Sequence, residues 1–191
     1  MPCQKKFHYF ILSFALILFI PDAGGAQSLT FQNCSITMLE NRAYYLALKE
    51  AIDRAKKEIT LSYFRFNTKG RVASYPDIVM EGLISAAKRG VKVVVLLDQN
   101  KDINDITSKE NLETMGRLNK TGVKVYLDSP ETTTHTKMTV IDGRYTFIGS
   151  HNLTQSALKY NNEISLMIES PQVAAEALSY IKSLIPAKAY R

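Results

Sequence analysis

Cysteine is nearly absent from this sequence: 191 residues hold two, Cys3 and Cys34. Once the N-terminal stretch discussed below is removed, only Cys34 is left, so no internal disulfide can form and stability has to come from packing. Histidine is almost as scarce, at His8, His135 and His151, which confines imidazole chemistry to very few places. No linker, internal repeat or low-complexity segment interrupts the chain, which argues against repeat arrays and disordered tails. The apolar run from Tyr9 to Ile20 is shorter than the roughly 20 residues of a comfortable membrane span. What remains is a chain 46% hydrophobic and 22% charged, the composition of one globular domain with a sizeable core.

The first residues differ from the rest. Lys5 and Lys6 precede the apolar run, and Pro21 and the small residues Ala23-Gly24-Gly25-Ala26 follow it. Basic, apolar and small-residue regions in that order predict a secretory leader over residues 1–26, cleaved after Ala26, with residues 27–191 as a single domain. Export to a periplasm or the medium follows, or a membrane tether if the leader stays attached. Removing Lys5, Lys6 and Asp22 takes 24 basic and 18 acidic residues to 22 against 17, a mature charge of +5. A basic surface suits polyanions such as nucleic acid or acidic lipid, although solubility alone would also account for it.

Along the domain, Leu39 to Glu58 carries apolar residues at helical spacing and Ile59 to Phe66 is rich in β-branched and aromatic residues, a helix followed by a strand. Asn67 to Tyr75 reads as a loop. Pro76 to Arg89 reads as a helix stopped by Gly90, and Val91 to Leu97 as a strand buried on both faces. A polar loop over Gln99 to Lys109, a short helix over Glu110 to Lys120 and a strand over Val123 to Leu127 come next. His135 to Ile141 and Arg144 to Ile148 form a hairpin around Asp142-Gly143, a favoured two-residue turn. Leu153 to Lys159 gives a short helix, Glu163 to Ile168 a strand, and Pro171 to Leu184 a last helix capped by Ser170. Strands alternating with helices predict an α/β fold, an α/β/α sandwich around a mixed sheet.

The chemistry concentrates in HTKMTVIDGRYTFIGSHN, which begins at His135. In a strand, His135 and Lys137 point to one face, so imidazole and ammonium converge on one phosphate, while Asp142 falls on the other parity and in the turn. A neutral imidazole can displace the leaving oxygen from phosphorus and hold a covalent phosphohistidine. Lys137 and the Asn152 amide would stabilise charge on the non-bridging oxygens, and Ser150 could add a hydroxyl donor. Gly149 leaves room for close backbone approach, and a helix starting near Leu153 would aim N–H groups at an anion. Blander readings stand beside these. The turn explains Asp142 by itself, Asn152 with Gln155 three residues on has the pattern of a capping box, Ser150 suits a turn, and His151 reads as structural or as part of a substrate rim.

The spacing of His135, Lys137 and Asp142, with Gly149, Ser150 and Asn152 trailing, resembles the HxKx4D…GSxN signature of the phospholipase D superfamily. It is most similar to small bacterial endonucleases of that superfamily and to the mitochondrial Zucchini-type branch. The resemblance implies a phosphodiesterase that works without a metal or other cofactor, with Asp142 and Gly149 in structural roles and a glutamate after the GSxN segment, here Glu163, orienting the histidine. Members usually carry two motifs, one histidine attacking and the other protonating the leaving group. One motif therefore implies a twofold homodimer in which each copy contributes His135. A nuclease cutting DNA or RNA is the leading expectation, with Arg65, Lys69, Arg71 and Lys101 as candidate backbone contacts. A phospholipase acting on membrane phosphatidyl lipid and an inactive nucleic-acid-binding protein are the alternatives.

Overall fold

The computed structural model describes residues 34–70, 74–102 and 104–186. The expected leader, with Cys3, Lys5 and Lys6, lies outside these residues, as does Arg71. Seven strands, β1 (Ser35–Glu40), β2 (Glu58–Tyr63), β3 (Lys92–Leu97), β4 (Lys124–Leu127), β5 (Lys137–Ile141), β6 (Tyr145–Gly149) and β7 (Ile164–Glu169), form one sheet in the order β1-β7-β6-β5-β2-β3-β4. β2, β3 and β4 are parallel, and every other pairing is antiparallel.

Two helical layers cover this mixed sheet unequally. The larger core packs α1 (Arg42–Arg54) and α2 (Tyr75–Lys88) against Ile59, Leu61, Tyr63, Val93, Val95 and Leu97, with α3 (Ile106–Leu118) and α4 (Gln155–Lys159) adding Leu118 and Leu158. On the opposite face α5 (Pro171–Leu184) sets Ala174, Ala177 and Ile181 against Val94, Leu96, Met138 and Val140. The alternation of strand side chains assigns each residue to its face. α5 does not reach the β1 edge. Ile36 is 60% exposed, Met38 61% and Ile164 50%, and Ile148 is also open. The register sets Met38 against Leu166, and Leu166 against Ile148, so these side chains form one apolar strip.

The α/β architecture expected from the sequence is the one observed, with local differences. Leu39 belongs to strand β1 rather than to the first helix. Its neighbours Ile36 and Met38 face the open side, so the strand buries little of the pattern that would announce it. α3 begins at Ile106, four residues before the expected start, because the Asp105 side chain accepts Ser108 N–H at 2.7 Å and caps it. α5 runs over the expected residues, with Ser170 as its cap.

The Asp142-Gly143 turn ties the sheet to the α1–β2 connection. Both residues have positive φ, 55° and 62°, the backbone of a type I′ hairpin turn, and Arg144 N–H closes it on Ile141 O at 3.0 Å. The Asp142 carboxylate accepts N–H donors from Lys56 at 2.9 Å, Lys57 at 2.7 Å and Glu58 at 3.1 Å. Burial pushes its pKa up, but these three donors outweigh that and hold it below the ordinary aspartate value. The stabilisation is therefore present above the unfolded pKa and is lost as pH falls through the lower folded value. Asp142→Ala should cost about 2–3 kcal/mol at pH 7, since donors to an ionised group lose their acceptor. Asp142→Asn, which keeps one acceptor oxygen and tolerates positive φ, should cost clearly less. Urea unfolding midpoints check this, and an Asp142→Ala midpoint equal to wild type would show that the tie holds nothing.

Candidate active site

The C-terminal ends of the parallel strands β2, β3 and β4 open at one edge of the sheet, where crevices of α/β folds lie. β5 runs antiparallel to β2 and enters from this edge, so its first residue, Lys137, pairs with the last of β2, Tyr63. His135 precedes the strand and is held by its neighbour, since Phe64 N–H donates to Thr136 O at 2.8 Å. The motif thus divides between two ends of one strand. His135 and Lys137 sit at the open edge, and Asp142 fastens the far end.

The His135 ring is solvent-exposed and rests on Phe64, with 4.5 Å between ring centroids. Partial burial first, and the nearby Lys137 charge second, pull its pKa below 6.5. At pH 7 the ring is therefore neutral, the form in which a nitrogen lone pair can attack. Lys137 is buried, donates from Nζ to His135 O at 2.9 Å and lies 5.1 Å from the Phe64 ring centre. Burial lowers its pKa, and the Glu163 and Asp98 carboxylates act against that. Beneath it, the hydroxyls of Tyr44, Tyr63 and Thr139 form a buried chain, 2.5 Å and 2.9 Å apart.

The segment after β6 brings up the remaining residues. It lies parallel to the chain leaving β2: Leu153 N–H donates to Arg65 O and Asn67 N–H to Leu153 O, both at 3.0 Å. Asn152 is carried on this bridge, and its Oδ1 is buried without a hydrogen-bond partner among the described residues. Asn152 is not a helix cap. Thr154 fills that role, accepting Ala157 N–H at 3.2 Å, and Gln155 Oε1 instead accepts Tyr75 N–H at 2.8 Å. The helix begins at Gln155 and has only five residues, so the expected row of free N–H groups from Leu153 is not there.

Ser150 donates its hydroxyl to Glu163 Oε2, and Asn161 donates to Oε1 at 3.0 Å. Glu163 N–H is tied to Asn41 Oδ1 at 2.9 Å. The Ser150 hydroxyl proton is thereby committed to the glutamate, which stands just before β7. Gly149 is required by the sheet itself, because a Cβ there would fall on Ser165 and within 2.5 Å of Ile164 O. The backbone that approaches Gly149 is β7. His151 is fully buried and stacked 4.2 Å from Tyr44. Its Nε2–H donates to Asn41 O at 2.9 Å, which leaves Nδ1 to accept from Ser165 Oγ at 2.7 Å. Desolvation lowers its pKa. With both nitrogens used inside the protein, His151 is structural.

An open polar cleft leads away from the site between the chain after β2 and α4, lined by Arg65, Asn67, Lys69, Asn152, Asn161 and Glu163 among others. Arg65 is paired with Glu110 at 2.5 Å and Lys101 with Glu131 at 2.5 Å. Lys69 is exposed and makes no ion pair among the described residues. Sequence reasoning missed Phe64, which supports both His135 and Lys137, and Asp98, whose charge reaches Lys137. Each sits one residue past the end of a parallel strand, and that position was the available signal.

With this geometry in hand, the relatives can be placed. A family model described as the phospholipase D-like domain of cardiolipin synthase matches residues 48–185. The phospholipase D of Rickettsia felis is 28% identical over 138 residues, covering 72% of this chain and 60% of that protein. The phospholipase D of Rickettsia typhi is 31% identical over 113 residues, covering 59% and 51%. The chain thus spans between half and two thirds of these relatives' lengths. Among solved structures, the phospholipase D family member Nuc from Salmonella typhimurium superposes with a TM-score of 0.65 at 23% identity, over 79% of this chain and 93% of Nuc. NucT from Helicobacter pylori gives 0.64 at 21% identity, over 79% and 95%. Sequence match and shared fold agree, and the chain belongs to the phospholipase D-like family.

Proposed function

We propose that this protein is a metal-independent phosphodiesterase, most directly an endonuclease of DNA or RNA, working through a phosphohistidine at His135 in a homodimeric site. The observation that carries this reading is an exposed His135 set against Lys137, while His151 has both ring nitrogens engaged inside the protein. A ring nitrogen of His135 attacks phosphorus and the bond from phosphorus to the leaving oxygen breaks. The imidazolium of His135 from a second copy gives that oxygen its proton. Water then attacks the phosphohistidine, losing its proton to the second histidine, and the first histidine is released. Lys137 and Asn152 stabilise the transferring group, with Ser150 and Glu163 completing the wall of the site. Through the second copy, Glu163 would orient the histidine.

The polar cleft with Arg65 and Lys69 favours a polynucleotide backbone. The relatives named phospholipase D give the lipid reading its support. Both chemistries break a phosphodiester, and a product assay separates them. Purified protein in excess EDTA should convert plasmid DNA or RNA and leave phosphatidylcholine vesicles intact. Activity that vanishes in EDTA and returns with a divalent ion would remove the covalent mechanism, and choline release alone would make the lipid reading the correct one.

The second copy seats on the open apolar strip. Ile164 lines one crevice with Glu163 and Ser150, the strip runs from it through Ile148 and Met38 to Ile36, and only a copy docked beside the site can supply the missing acid. Met38→Asp should therefore yield monomers in sedimentation with activity reduced at least tenfold. Co-expression of equal amounts of wild-type and His135→Ala chains should leave about a quarter of the activity per total protein, the fraction of fully wild-type dimers under random assembly. An active monomer, or activity linear in the wild-type fraction under confirmed exchange, defeats the shared site.

Export completes the proposal, on the order of residues 1–26. Secreted or periplasmic material should begin at or near Gln27 on N-terminal sequencing. Mature protein that still carries Phe10 to Ile20 would make the segment a membrane tether.

A further inference from the structure

Two aspartates that the proposed mechanism does not use stand behind the histidine. Asp98 directly follows β3 and Asp128 directly follows β4, on adjacent parallel strands, and each is 2% exposed. Asp98 Oδ1 accepts the Thr134 N–H at 2.7 Å, and Thr134 is the residue before His135. Asp128 Oδ1 accepts Gln99 N–H at 2.9 Å, while its Oδ2 is buried with no partner among the described residues. A buried carboxylate oxygen without a donor is costly. Two groups reach the Asp128 carboxylate: Thr134, whose hydroxyl and N–H both favour its ionised form, and the Asp98 carboxyl, which interacts with it both as a charge and as a hydrogen-bond partner and is the one of the two that can share a titratable proton with it.

We propose that Asp98 and Asp128 form a proton-sharing carboxyl pair that positions the segment carrying His135, with Asp98 as the positioning residue. Asp98 anchors Thr134 through one oxygen, and the shared proton lies between its other oxygen and Asp128 Oδ2. The anchor fixes where the backbone stops before β5, and so where the His135 ring meets Phe64 and where the Lys137 ammonium finds His135 O.

Charged groups around the pair bear on its titration. Asp105, the cap of α3, adds a second negative field, while Lys137 on β5 is the nearby cation. Asn111 of α3 donates to the Asp98 backbone oxygen at 2.9 Å and contributes no charge. Burial first, then Asp128 and Asp105 against the favourable Thr134 N–H, push Asp98 up to about 6, and burial also raises Asp128. The native state therefore holds this proton more tightly than the unfolded chain does. Its contribution to stability is largest below the unfolded aspartate pKa and declines as pH rises through about 6.

Asp98→Asn separates this proposal from a packing role. The amide oxygen can still accept Thr134 N–H, and the amide nitrogen can donate to Asp128 Oδ2 without any proton to lose. Unfolding midpoints measured from pH 4 to pH 8 should show the stability of Asp98→Asn rising relative to wild type by up to roughly a hundredfold in the unfolding constant, the rise ending above pH 6; one proton allows at most tenfold per pH unit, over the roughly two units between the ordinary aspartate value and about 6. A difference independent of pH overturns the shared proton. This arm needs no activity, so it stands whether or not the phosphodiesterase reading holds.

The second arm rests on that reading. Asp98→Ala, confirmed folded by circular dichroism, should lower kcat at least tenfold while KM changes less than threefold, and Asp98→Asn should restore kcat to within threefold of wild type. An unchanged kcat in Asp98→Ala, or an Asp98→Asn as slow as Asp98→Ala, overturns the positioning role. No turnover by the wild type on any phosphodiester would instead overturn the proposed activity. If Asp98→Ala does not fold, the kcat of Asp98→Asn and the pH arm decide the question between them.

Discussion

Where the parallel strands β2, β3 and β4 end, backbone bonding carries on for one residue, with Asp98 N–H on Tyr63 O at 3.3 Å and Asp128 N–H on Leu97 O at 3.1 Å, and beyond it side chains from the following elements have to satisfy the backbone. Asn111 meets the largest share of this demand. It is fully buried, donates from Nδ2 to Phe64 O at 2.8 Å and Asp98 O at 2.9 Å, and accepts Phe66 N–H at 2.9 Å. One turn further along α3, Thr114 donates to Phe66 O at 2.6 Å and meets Thr68 at 2.9 Å. These bonds hold the chain leaving β2 against α3, and that chain carries both Phe64, under His135, and Arg65, whose carbonyl receives the Asn152 segment. An ordinary polar helix face, read from outside, is thus what keeps the edge of the sheet in register.

The electrostatics of this edge follow from the same crowding. Lys137 is a buried ammonium that stays near three groups: the His135 carbonyl, the Glu163 carboxylate and the Asp98 carboxyl. Desolvation alone would favour its neutral form, so the acidic neighbours sustain the charge that a phosphate would meet. Burial first, and the same ammonium second, lower the pKa of His135. The site therefore sets a cation at the first residue of β5 and a weakly basic imidazole two residues before the strand.

The sequence made some of this legible and hid the rest for physical reasons. The motif was legible because its chemistry needs particular letters, and α5 was legible because Ser170 and Pro171 announce a helix start. β1 was hidden because its apolar side chains face an uncovered side, so no buried alternation marks it. The capping pattern at Asn152 was misleading, since Thr154, two residues later, has equal capping chemistry and better backbone placement. Glu163 could be named from resemblance alone, but its attachment to Ser150, Asn161 and Asn41 depends on the antiparallel return of β7, a long-range pairing that local patterns do not encode. Asn111 and Asp98 escaped for a related reason, because a polar residue turned inward looks like one turned outward until its partners are known.

The division of the motif between the two ends of β5 bears on which length changes the protein can accept. At about 3.3 Å per residue, the five positions from Lys137 to Asp142 place the buried ammonium and the hairpin lock roughly 16 Å apart. Adding or deleting one residue between them would turn either Lys137 or Asp142 to the wrong face of the sheet. A two-residue change would restore parity but move the lock past the N–H groups of Lys56, Lys57 and Glu58. The interval acts as a ruler whose graduation is the strand repeat, so variation in this region is confined to letters and excludes length.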